Sequence, residues 1–74
     1  MKEYNGYKNY QTWNIALWIN NDERFYNIAK GCLEYSEFIY MLRSMDITET
    51  FEQVAFNDSG LDIDRLDEMI RDTK

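Results

Sequence analysis

The stretch Asn9 to Asp22, NYQTWNIALWINND, leaves a chain built around it little choice of fold. Trp13, Ile15, Ala16, Leu17, Trp18 and Ile19 are apolar and fall on nearly every side of a helix instead of along one stripe. A helix of that kind is expected to be buried all round, and its two indoles could each remove about 150–250 Å² from water. The expectation is a small body with Trp13 and Trp18 at its centre and everything else folded against them.

A chain of 74 residues hides only about 60% of its unfolded surface, enough for one core and not for two. Residues 1–74 therefore read as a single helical domain, with residues 1–10 as an aromatic N-terminal arm. Cys32 is the lone cysteine, so no internal disulfide can form, and a reducing compartment is expected. The opening MKEYNGYKNY has no signal-like apolar run, and no stretch approaches the roughly 18 apolar residues needed to span a bilayer. A soluble cytoplasmic protein, away from membranes, is the expectation.

Along the chain, Tyr4, Tyr7, Tyr10 and Trp13 recur at a spacing of three, interleaved with Asn5, Gly6, Lys8 and Asn9. Gly6 and the asparagines oppose a regular helix there, so these rings are expected to lie over the core, with pairing to a second copy or stacking on nucleic-acid bases as alternatives. Thr12 is placed to cap a first helix over about Trp13–Ile19, which Asn20-Asn21 ends. Asn20 or Asn21 then caps a second over about Asp22–Tyr35, where Phe25, Ile28, Ala29, Cys32 and Leu33 share one face and Gly31 allows close backbone approach. Ser36 begins a third, about Glu37–Met45, with Phe38, Ile39, Leu42 and Met45 inward and Tyr40 and Met41 off that stripe.

Residues 46–60 read two ways. Phe51, Val54 and Ala55 suit a short helix opened by a Thr50/Gln53 capping box, whereas Val54–Phe56 also suits a brief extended piece. Asn57-Asp58-Ser59-Gly60 is a loop on either reading. A last helix starts near Asp62–Asp64 and runs to about Asp72, burying Ile63, Leu66, Met69 and Ile70. The fold class expected is mainly α, a single-core bundle of about four short helices. Asn14, polar among apolar neighbours, is expected to bond to the backbone of the 46–60 segment and fix its path, with contact to a ligand as the alternative.

Charge is unevenly placed. Residues 1–45 balance five acids with five bases, while residues 46–74 hold nine acids against Arg65, Arg71 and Lys74, so the net charge of −6 resides in the last third. Direct nucleic-acid binding through phosphates is disfavoured by that balance. Asp58, Asp62, Asp64, Asp67, Glu68 and Asp72 are the candidate partner-binding residues, and Tyr4, Tyr7 and Tyr10 the candidate oligomer contacts.

The usual chemistries lack their residues. With no histidine and one cysteine, zinc sites and serine or cysteine triads have no ligands or base. The acidic NDSGLDID fails as a calcium loop: with Gly60 at position six, Ala55 and Leu66 fall where carboxylates are required. Gly6, Gly31 and Gly60 are too scattered for a phosphate-cradling loop. The expectation is a protein without catalytic activity, cofactor or metal.

Thr12-Trp13-Asn14, Leu17-Trp18, Asn20-Asn21-Asp22 and Tyr26-Asn27-Ile28-Ala29 resemble a family of small uncharacterised proteins found mainly in bacteriophages, with a T-W-N-x-x-L-W-x-x-N-D signature. Phe56-Asn57-Asp58, Leu61-Asp62-Ile63 and Leu66-Asp67 look like its C-terminal half. The resemblance implies a phage origin and a host-cell cytoplasm, and transfers no functional residue. The function expected is inhibition or redirection of a host protein with a basic surface, a defence or nucleic-acid enzyme, through the acidic surface. The alternative is a self-assembling accessory protein, a homodimer with the aromatic arm at its interface.

Overall fold

In the computed structural model, which describes residues 4–74, four helices follow one another: α1 (Tyr10–Asn21), α2 (Glu23–Lys30), α3 (Tyr35–Ser44) and α4 (Ile63–Arg71). They make a mainly α globule with no sheet among the described residues. Residues 1–3 of the expected arm lie outside the described residues. Among the described residues no helix is long and apolar enough to cross a membrane.

Each helix starts where a side chain accepts from an otherwise unsatisfied amide of the opening turn. Asn9, not Thr12, caps α1: its Oδ1 accepts from the Thr12 amide at 2.9 Å and from the Thr12 hydroxyl at 2.7 Å. Asp22, not Asn20 or Asn21, caps α2 by accepting from the amides of Arg24 and Phe25. Asp62 caps α4 through the Arg65 amide. Helix α2 stops at Lys30, five residues short of the expected end, because Gly31 is its C-cap and not an interior residue. Glu34, at the N-cap of α3, makes no side-chain capping bond; Asp67 of α4 replaces it, its Oδ1 accepting from the Tyr35 amide at 2.7 Å.

Helix α3 ends in a Schellman motif: the Ile47 amide donates to Leu42 O and the Asp46 amide to Arg43 O, with Asp46 left-handed at φ 60°. Of the two readings of residues 46–60, the short helix does not form and the extended piece at Val54–Phe56 does, paired with residues 48–50. Glu49 and Ala55 form an antiparallel bridge, the Thr50 amide donates to Val54 O, and Gln53 is left-handed at φ 69°. This is a minimal hairpin with a three-residue tip, Phe51-Glu52-Gln53. Thr50 does not open a helix; its hydroxyl accepts from the Val54 amide across the hairpin.

The core is phenylalanine, not tryptophan. Phe25, Phe38 and Phe56 meet edge to face with centroids 5.7–6.4 Å apart, and Tyr35 lies 5.8 Å from Phe38. Ile15, Ile19, Leu42, Leu66 and Ile70 close around them. Tyr35 donates its hydroxyl to Phe56 O at 2.6 Å, and burial keeps the phenol protonated well above the ordinary tyrosine range. Trp18 is half-buried against Phe25, and Trp13 is half-buried outside the core cluster. The expectation of two central indoles is thus overturned. So small a chain has too few elements to cover a helix on every side, and an indole N–H wants a polar partner that a dry core lacks. Leu33, Met45 and Ile63, expected inside, are exposed instead. The C-terminal Lys74 ammonium donates to Ala29 O and Ile70 O, where the C-terminal dipoles of α2 and α4 favour a cation.

Candidate functional site

Two sets of long-range hydrogen bonds tie α1 and its cap to the back half of the chain. At one end of α1, Asn9 Nδ2 donates to Gly60 O at 2.6 Å, and the Asp62 amide donates to the Thr12 hydroxyl at 3.0 Å. In mid-helix, buried Asn14 accepts from the Thr50 hydroxyl at 2.6 Å and donates to Glu52 Oε1 at 2.9 Å. Trp18 Nε1 donates to that same oxygen at 2.6 Å. Asn14 therefore does fix the path of residues 46–60, through side chains and not through backbone. The Asn14 amide and then the Trp18 indole hold the Glu52 carboxyl below its ordinary range.

The six candidate carboxylates divide into two groups. Asp58 closes a local turn by accepting from the Gly60 amide, Asp62 caps α4, and Asp67 caps α3. These three hold the fold. Asp64, Glu68 and Asp72 follow at intervals of four along α4, which places them on one ridge facing away from Leu66 and Ile70. Arg71 also faces outward, toward the C-terminal end of that ridge. Arg65 is drawn off elsewhere: its guanidinium carbon lies 4.2 Å over the Tyr7 ring and its Nη1 donates to Gly6 O at 3.2 Å. Beside the ridge, Tyr7, Tyr26, Arg65, Glu68 and Asp72 line a cleft of about 400 Å³ that also takes in Asn20, Met69 and Thr73. Arg65 already covers the Tyr7 ring and Lys30 lies 5.7 Å over the Tyr26 ring, so what the cleft offers a cationic side chain is the charge of Glu68 and Asp72.

The three arm tyrosines are not brought together. Tyr4 and Tyr7 exchange both backbone hydrogen bonds across Asn5 and Gly6, whose φ values of 50° and 88° have the signs of a type I′ turn. That turn folds the arm back. Tyr4 packs on Tyr10 and Trp13 at 5.3 and 4.8 Å, while Tyr7 goes the other way, under Arg65. The Asn-Gly pair is the sequence signal for such a turn, although the expectation above treats those residues only as helix breakers.

A second surface includes one of the expected oligomer contacts, Tyr10, and otherwise lies outside the expected site residues. Tyr10, Trp13 and Leu17 fall at i, i+3 and i+7, on the side of α1 opposite Ile15, Ala16 and Ile19. At its far end Phe51, 84% exposed at the hairpin tip, packs on Trp18 with centroids 6.4 Å apart. Leu17, Trp18, Asn21 and Asp22 line a shallow hollow of about 210 Å³ on this face. The helical spacing of Tyr10, Trp13 and Leu17 was the available signal, hidden by the assumption that α1 is covered all round.

Cys32 lies buried, its Sγ donating to Ile28 O at 3.3 Å. Burial, reinforced by Glu37 and opposed by Lys74, pushes the thiol above its ordinary pKa, the reverse of what a nucleophile needs. Among the described residues no group of three or more carboxylate or cysteine side chains is placed to hold a metal ion.

A family model spans residues 1–74, the whole chain. The chain belongs to a family of unknown function, DUF7249. No curated protein and no solved structure matches it. Family membership therefore assigns no activity to any residue.

Proposed function

We propose that this chain is a phage-encoded, non-catalytic binding protein that works in the host cytoplasm by occupying a basic surface on a host protein, a defence or nucleic-acid enzyme. The observation that carries this reading is the row of outward carboxylates on α4, joined by Arg71 at its C-terminal end. Asp64, Glu68 and Asp72 line up outward beside a tyrosine-lined cleft, while Asp58, Asp62 and Asp67 are consumed by turns and caps. A row of carboxylates about one turn apart raises the encounter rate with a cationic groove and selects among partners more than it deepens affinity. The resemblance to phage sequences supports the origin and the compartment.

The test is capture from host lysate by the full chain at low and at high salt, beside an Asp64→Asn, Glu68→Gln, Asp72→Asn triple variant. The expected result is a species held at low salt, released at high salt and absent with the variant. Retention that ignores both salt and the substitutions would end this reading. A second reading, self-assembly, is favoured by one specific observation: Tyr4 and Tyr10 stay exposed although they pack on Trp13.

A further inference from the structure

The outer face of α1 is apolar over its first two turns, from Tyr10 through Trp13 to Leu17, and ends in the exposed amides of Asn20 and Asn21. Tyr4, Tyr10 and Trp13 cluster at its N-terminal end, Leu17 lies past the middle, and Trp18 with Phe51 lies toward the C-terminal end. Scattered exposed apolar residues need no explanation; two aromatic clusters on one helix with Leu17 between them do. Tyrosine and tryptophan are also the side chains that dominate association energies when a partner covers them.

We propose that this face pairs with itself, so that two copies of the chain associate through α1 in antiparallel register about a two-fold axis. This deepens the self-assembly reading and replaces its arm interface with named residues of α1. Three features of the face support a second copy as the occupant. The first is register. A two-fold contact must match each residue with its counterpart in reverse order, and centring it between Trp13 and Leu17 sets each Trp13 against the other copy's Leu17. The second is shape. The same register carries the Tyr4–Tyr10–Trp13 cluster of one copy over the hollow between Leu17, Trp18, Asn21 and Asp22 of the other, which has room for an aromatic ring.

The third is charge. Lys8 flanks the N-terminal end of α1, and Asp22 and Glu23 flank its C-terminal end. Antiparallel pairing brings Lys8 of each copy to Asp22 and Glu23 of the other and opposes the two helix dipoles. Parallel pairing would align like charges. A heterologous partner would have to reproduce this arrangement, whereas a second copy supplies it by symmetry.

Sedimentation of the full chain over a wide concentration range, with circular dichroism as a fold check, tests the proposal. The wild type should move from one chain's mass toward two, and Leu17→Glu, a change at a side chain 37% exposed, should hold the mass at one chain throughout with helicity unchanged. Lys8→Glu should weaken the dimer about fivefold, as reversal of an exposed pair allows, and Lys8→Glu combined with Glu23→Lys should restore it. A wild type that remains monomeric overturns both this proposal and self-assembly. A dimer indifferent to Leu17→Glu and Lys8→Glu overturns the α1 interface and leaves self-assembly standing. If Leu17→Glu fails to fold, the Lys8 reversal and its rescue still decide the interface.

Discussion

Asn14→Ala should be among the most damaging single substitutions of a polar residue in this chain. Asn14 is buried, and its side-chain oxygen accepts from the Thr50 hydroxyl at 2.6 Å. Losing that bond costs about 1 kcal/mol, and leaving the buried Thr50 hydroxyl with one partner fewer adds about 1–2 kcal/mol. The sum, about 2–3 kcal/mol, is a large share of the roughly 4–11 kcal/mol expected for a domain of this length. It corresponds to a fall in Tm on the order of 10–20 °C. The assay is a double-mutant cycle by urea unfolding on Asn14→Ala, Thr50→Val and the pair. Thr50→Val removes the same bond from the other side, so the double variant should lose about 1 kcal/mol less than the two singles together. Losses that simply add would refute the claim that Asn14 holds the hairpin through Thr50. An Asn14→Leu variant more stable than the wild type would refute it as well.

Three further outcomes follow from particular contacts. Asp67→Ala should lower stability by about 1 kcal/mol, as loss of a helix cap does, whereas Asp64→Ala should stay within about 0.5 kcal/mol; urea midpoints compare the two. Because the Asn14 amide and the Trp18 indole lower the Glu52 pKa in the folded chain, Glu52 stabilises the fold above its unfolded pKa, near 4.5, and loses that contribution as pH falls through the folded value. Unfolding curves of wild type and Glu52→Gln should therefore diverge at neutral pH and converge in acid. Asp46→Gly and Gln53→Gly, at left-handed positions that strain any residue with a Cβ, should each raise stability by about 0.5–1 kcal/mol in thermal melts.

Local chemistry made much of this protein legible from its residues. The positions of α2, α3 and α4 follow from apolar spacing. The caps at Asn9, Asp22 and Asp62 needed only the shift of a residue or a few from the sequence expectation, because a cap bonds within three residues of itself. The Asn5-Gly6 turn was there to be read, since positive φ at two successive residues is written into that dipeptide. Other decisions depend on groups far apart in the chain. Whether Asp67 is a surface charge or a cap is settled by Tyr35, 32 residues away, and whether residues 46–60 curl into a helix or a hairpin is settled by Asn14, 36 residues from Thr50. Tertiary packing also chose which side of α1 is covered. The sequence made that helix apolar all round, and the three other helices and the hairpin were enough to bury only part of it, so Tyr10, Trp13 and Leu17 face outward.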